Sequence, residues 1–246
     1  MKTLVAMVTI GKDKWTRRFS VRDAQTYAAK HGYAFAQIVE ASIPPGERTP
    51  HWEKILIPKR HPGYERYLIL DDDILINHRL APELPQIPPD ALGLVREPLP
   101  GANVGPVKWV GNSGVMIVHS EAVDLLDQAY VMGEVTDVVP GFGEQPAINK
   151  VAWAADRIAK LDRRWNYILM ADWLKTAHGQ DYPWTKNLAL SRLAKFTVFS
   201  WLLISIALKA CGLKAPGAVM RRLDEAYFIH LIAFRMGVGL VHRFAR

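Results

Sequence analysis

The 246-residue sequence predicts an α/β fold: a mixed, mostly parallel central sheet flanked by helices, continued by a basic, helical C-terminal extension. Three observations lead there. Short apolar runs rich in β-branched residues alternate with stretches of helical spacing, the order that builds a sheet covered on both faces. One of those runs, Tyr67–Leu70, is apolar at every position, as a strand buried on both faces would be. Half of the residues are hydrophobic and 22% are charged, which supports one large core and argues against disorder.

Leu4–Ile10 reads as the first strand. Lys2 precedes it as the basic start of a secretory signal would. The run ends in Gly11-Lys12-Asp13-Lys14 with no small-residue cleavage site, so a buried strand and no export signal are expected. From Trp15 to Lys30 the spacing puts Phe19, Ala24, Tyr27 and Ala28 on one face of a helix, stopped by His31-Gly32. Tyr33–Val39 is a second strand, Ser42–Pro50 a Pro/Gly loop, and Trp52–Lys59 a short helix ending near Pro62-Gly63. Tyr67–Leu70 then runs into Asp71-Asp72-Asp73, followed by apolar Ile74–Ile76. Residues 81–106 are a proline-rich loop broken by a short strand at Leu92–Val95. Asn112-Ser113-Gly114 leads into a strand at Val115–Val118, and Glu121–Met132 is helical. Gly141–Gly143 is a turn before Glu144-Gln145-Pro146 and a helix at Ala147–Ala155. There is no internal repeat and no low-complexity tract.

Charge divides the chain more sharply than composition. Residues 1–186 carry 22 basic and 22 acidic side chains, whereas residues 187–246 carry 9 and 2, so the net charge of +7 lies in the last quarter. This separates a charge-balanced region, 1–186, from a basic extension, 187–246, within one folding unit. Phe196–Leu208 is uncharged and bracketed by Lys195 and Lys209. As a helix it is about 20 Å long, short of the ~30 Å hydrocarbon core, so it is not expected to cross a membrane. Arg192, Lys195, Lys209, Lys214, Arg221 and Arg222 around it favour an anionic membrane surface. A core helix with a solvated basic flank is the alternative. No nucleic-acid-binding motif is present, so nucleic acid is not an expected partner. The single cysteine, Cys211, excludes an intramolecular disulfide and a Cys-rich zinc site and is compatible with a cytoplasmic protein, peripheral at the inner face of a membrane.

The acidic run needs a reason. Three unpaired carboxylates cost several kcal/mol to bury. Either the run is solvated and starts a turn, or it binds a cation at the carboxyl edge of the sheet. Strand alternation would put Asp71 and Asp73 on one side, and carboxylates without sulfur suit Mn²⁺ or Mg²⁺, usually completed by phosphate oxygens.

Tyr67-Leu-Ile-Leu-Asp-Asp-Asp-Ile-Leu-Ile-Asn77 resembles the strand and DxD segment of nucleotide-sugar glycosyltransferases of the A-type fold. In the same order follow Asn112-Ser-Gly-Val-Met-Ile-Val118, Glu144-Gln145-Pro-Ala-Ile-Asn149, Arg164-Trp-Asn166-Tyr167 and Phe228-Ile-His230, similar to segments of the glycogenin-like and α-galactosyl/mannosyltransferase families. The resemblance implies a retaining hexosyltransferase that takes a UDP- or GDP-sugar with Mn²⁺ or Mg²⁺ and serves a glycan or glycolipid acceptor. It assigns Asp71, Asp73 and His230 to the metal, with His178 in Ala-His-Gly as the competing histidine. The glycine that follows the histidine in those families is missing here. The resemblance places Asp72 near the donor ribose or sugar, Asn112 and Gly114 at the sugar pocket, Gln145 facing the anomeric carbon and Glu144 on sugar hydroxyls. Trp52 and Lys54 match a Trp-x-Lys before the acidic strand, Trp52 as a sugar platform or a core residue. Thr9 is a nucleotide contact. Two other classes remain: an Asp-based phosphohydrolase, for which Leu75 stands where Thr or Val is usual, and a non-catalytic carbohydrate or membrane adaptor. Neither a dinucleotide nor a P-loop glycine motif occurs.

Overall fold

A computed structural model describes residues 1–11, 17–98, 104–135, 143–178 and 218–231, with 196, 197, 200, 201, 203, 204, 207, 208 and 211. The described strands are β1 (Thr3–Val8), β2 (Ala34–Ile38), β3 (Arg66–Leu70), β4 (Ile74–Ile76), β5 (Leu92–Arg96), β6 (Gly111–His119), β7 (Ile158–Leu161), β8 (Tyr167–Ile168) and β9 (Phe228–His230). The helices are α1 (Arg17–Lys30), α2 (Glu53–Arg60), α3 (Val123–Met132), α4 (Gln145–Ala154), α5 (Leu169–His178) and α6 (Ala218–Glu225).

Six strands form the central sheet in the order β2-β1-β3-β6-β5-β7. β1 pairs in parallel with β2 and β3, and β5 with β7, while β6 is antiparallel to both its neighbours. β6 is therefore the one reversed strand, and the sheet is mixed and mostly parallel, as the sequence predicts. Leu4, Ala6, Tyr67 and Ile69 face a core shared with α2, α3 and α4, while Val5, Met7, Leu68 and Leu70 face one shared with α1. This alternation explains why β3 is apolar throughout: both of its faces are covered.

Ile74–Ile76 leaves the main sheet. It forms β4 of a second sheet, ordered β4-β9-β8, in which Ile74 is paired with His230. The basic last quarter thus contributes a strand as well as a helix. β8 lies parallel to β9 with Ile168 opposite His230. β7 has no counterpart in the sequence reading, because at the sheet edge its Ile158 and Leu161 are only half-buried and Lys160 is exposed. β6 begins at Gly111 rather than Val115, taking Asn112, Ser113 and Gly114 into the strand.

Candidate functional site

β3 ends at Leu70 and the acidic run turns. The Ile74 N–H donates to the Asp71 carbonyl at 3.4 Å, and the Asp71 N–H donates to Gly114 O at 2.9 Å. The strand alternation expected of Asp71 and Asp73 therefore does not operate. The carboxylates converge because a turn separates them and because β9 returns beside it, with the Leu231 N–H bound to Asp73 O at 3.1 Å. His230 Nε2 lies 3.1 Å from Asp73 Oδ1 and 3.8 Å from Asp71 Oδ2.

One ligand atom from each of Asp71, Asp73 and His230 fits within a mutual 4.8 Å. Ligands about 2.1 Å from an octahedral cation lie about 3.0–4.2 Å apart, so the three atoms are close to the spacing that one ion requires. Two hard carboxylate oxygens and one imidazole are a donor set that fits a divalent cation. Burial alone would lower the pKa of His230; Asp73, then Asp71, outweigh it, and the net shift is upward. His178 ends α5, and its side chain lies outside the described residues.

Asp72 points elsewhere. Its Oδ2 is 2.6 Å from Arg17 Nε, and Arg17 also donates to the carbonyls of Ile10 at 2.7 Å and Gly11 at 3.2 Å. Lys54 is almost completely buried, with Nζ 2.7 Å from Asp71 Oδ1 and 2.6 Å from Glu144 Oε1. Burial would lower its pKa; the two carboxylates reverse that and hold it above the ordinary lysine range. Glu144 accepts from Ser113 Oγ at 2.8 Å. Gln145 accepts from the Ser113 N–H at 2.9 Å and donates to Glu97 Oε2 at 3.1 Å. Although Glu144 starts α4, its side chain makes no cap bond there and serves Lys54 and Ser113 instead.

The amide of Asn112 is engaged at both ends. Its Nδ2 donates to Glu97 at 2.6 Å, and its Oδ1 accepts from Gly114 N at 2.9 Å and Asn166 Nδ2 at 2.7 Å. Gly114 is required by contact: a Cβ there would lie 2.3 Å from His230 Cε1. Trp52 corrects one expectation. Its ring is fully buried in the core, edge-on to Tyr130 and covered by Arg48, so no face is open to a sugar.

Three hollows surround these groups. One of about 290 Å³ is lined by Val8, Ile10, Arg17, Pro50, His51, Lys54 and Asp71–Asp73. A second, of about 380 Å³, meets it at Arg17 and takes in Thr9, Gly11, Arg18 and Gln37, at the carboxyl ends of β1 and β2. Thr9 Oγ1 accepts from Gln37 Nε2 at 2.9 Å there. The third, of about 290 Å³, includes Asn166, Arg96, Arg163 and Lys175. Glu97, Arg17 and Ser113 are site residues to which the sequence reading gives no role. Glu97 carried a signal, a carboxylate just past a buried strand as at Asp71; Arg17 and Ser113 carried none.

This architecture, with an acidic turn after a central strand and a reversed strand beside it, is the A-type fold of nucleotide-sugar glycosyltransferases. A glycosyltransferase involved in glycosylation of the major capsid of PBCV-1 superposes with a TM-score of 0.61 at 15% identity, covering 100% of this chain and 98% of that one. The galactosyltransferase LgtC, in complex with donor and acceptor sugar analogs, gives 0.53 at 10% identity over 98% and 95%. An active-site Gln-to-Glu mutant of LgtC gives 0.50 at 11% identity over 73% and 80%. No family model matches the sequence, and no curated protein does.

Proposed function

We propose that the chain is a metal-dependent glycosyltransferase that takes a UDP- or GDP-sugar and passes the sugar to a glycan or glycolipid acceptor. The observation that carries this reading is the convergence of Asp71, Asp73 and His230 at the carboxyl edge of the sheet, beside two hollows that meet at Arg17. Open α/β sheets take their ligands at that edge. Asp71, Asp73 and His230 would hold Mn²⁺ or Mg²⁺, which when bound supplies Lewis-acid and template chemistry to a departing diphosphate.

The protein's own groups divide the remaining work. Thr9, Gln37 and Arg17 line the hollow assigned to the nucleoside, with Arg17 holding Asp72 at its border. Lys54 supplies a fixed positive charge beside Asp71, in a wall where fixed dipoles and charges act strongly. Glu144 and Gln145 both accept from Ser113 and are the candidates to face the sugar; LgtC has an active-site glutamine, and Gln145 is the candidate for such a place here. Retention of configuration is the course supported by the resemblance to glycogenin-like enzymes. The acceptor is assigned to the third hollow, which Asn166 borders.

Phe196, Leu203 and Ile204 are exposed at helical spacing, and Arg221 is exposed nearby in sequence. No helix among the described residues is long and apolar enough to cross a membrane. These features support peripheral contact with an anionic, cytoplasm-facing membrane surface. Arg192, Lys195, Lys209 and Lys214, on which this idea also draws, lie outside the described residues. The enzyme reading is tested by incubating the protein with UDP- and GDP-sugars and following release of UDP or GDP. Metal-dependent release supports it, and no release with any nucleotide sugar or metal contradicts it.

A further inference from the structure

Orientation in the buried amides beside His230 is fixed link by link. A backbone N–H can only donate, so the Gly114 N–H, 2.9 Å from Asn112, identifies that atom as Oδ1. The other end of Asn112, Nδ2, then faces the Glu97 carboxylate at 2.6 Å. Asn112 Oδ1 also receives Asn166 Nδ2 at 2.7 Å, which turns Asn166 Oδ1 toward His230 Nδ1 at 3.0 Å. An amide oxygen only accepts, so Nδ1 must carry hydrogen. Asn112, Asn166 and His230 are all at most 4% exposed, which leaves little room for water to substitute for a lost partner.

We infer that Glu97, Asn112 and Asn166 are positioning residues that lock neutral His230 as the Nδ1–H tautomer and so present its Nε2 lone pair to a divalent cation between Asp71 and Asp73. This rests on the metal reading given above. With Asn166 flipped, its N–H would face Nδ1, the hydrogen would move to Nε2, and Nε2 would donate to Asp73 instead of binding metal. Two anchors on Asn112, the Glu97 carboxylate and the Gly114 N–H, oppose that flip. Groups that orient a metal-binding histidine in this way are typically worth 10–100-fold in metal affinity.

The test has two independent readouts. Long-range ¹H–¹⁵N spectra of the protein loaded with diamagnetic Mg²⁺, assigned against His230→Gln, report the tautomer directly; without a cation the Asp73 carboxylate, 3.1 Å from Nε2, competes for a proton there. Wild type is expected to show protonated Nδ1 and bare Nε2. Asn112→Ala, which removes no hydrogen bond to His230 itself, is expected to give a tautomer mixture. Free Mn²⁺ measured by electron paramagnetic resonance gives affinity: Asn166→Leu is expected to lose about 10–100-fold. An Nε2–H tautomer in wild type overturns the inference, as does a folded Asn166→Leu protein that binds Mn²⁺ like wild type. If Asn166→Leu does not fold, the wild-type and Asn112→Ala spectra still decide. Absence of Mn²⁺ binding by wild type refutes the metal reading itself, whereas a wrong tautomer with intact binding refutes only the relay.

Discussion

Replacing Lys54 by methionine keeps most of the side-chain volume and removes its charge. In the native protein Lys54 and Glu144 are 2% and 1% exposed, 2.6 Å apart, and Lys54 also reaches Asp71 at 2.7 Å. Asp71 is 23% exposed and can regain water; Glu144 cannot. The variant therefore strands one buried carboxylate, a loss of about 3–5 kcal/mol. At about 2–4 °C per kcal/mol for a domain near this size, the midpoint of thermal unfolding should fall by about 6–20 °C. Lys54→Met/Glu144→Gln, which removes the stranded charge, should recover a substantial part of that loss; the amide carbonyl introduced by Glu144→Gln can still accept from Ser113. The assay is reversible thermal unfolding of wild type, both singles and the double. A Lys54→Met midpoint within about 2 °C of wild type, or a double variant less stable than Lys54→Met, would refute the reasoning.

Four further outcomes follow. The raised pKa of His230 means that in the metal-free protein its stabilising pairing is fully present below the unfolded value near 6.5 and is lost as pH rises through the higher folded value; a thermal series should show this slope in wild type and not in His230→Gln. Because a cation needs neutral imidazole, Mn²⁺ affinity should rise across the same window, as titration calorimetry at stepped pH would show. Gly114→Ala puts a methyl 2.3 Å from His230 Cε1 and should destabilise the fold by about 1–3 kcal/mol while weakening Mn²⁺ binding, read from denaturant unfolding and metal titration. Serine at Phe196, Leu203 and Ile204 together should reduce flotation with vesicles containing anionic lipid; unchanged flotation would remove the membrane surface from the account.

Much of the sheet was legible because its strands carry their own evidence. Tyr67–Leu70 is apolar at every position since both faces are covered, and that run made Asp71 conspicuous. The reason given for the convergence of Asp71 and Asp73 was wrong, because a turn and a returning strand bring them together. That return depends on residues 228–230 pairing with 74–76, a contact across more than 150 residues that no local pattern encodes. Glu97 follows a buried strand as Asp71 does, but its role depends on Asn112 from β6 and Gln145 from α4, partners that no local pattern identifies. Trp52 shows the opposite limit. Local sequence does not distinguish a tryptophan in a cleft from one in the core: Arg48 stands close by in the chain, but Tyr130, edge-on to the ring, comes from α3.

The central claim is that Asp71, Asp73 and His230 hold a cation against a nucleoside diphosphate. Calorimetric titration of UDP and GDP into the intact protein, with Mn²⁺ and with chelator, tests it most directly. The account predicts that one nucleotide binds only with Mn²⁺, and that Asp71→Asn and Asp73→Asn each abolish that dependence while the protein remains folded. Binding that is indifferent to Mn²⁺, or no binding of either nucleotide under any condition, would contradict it.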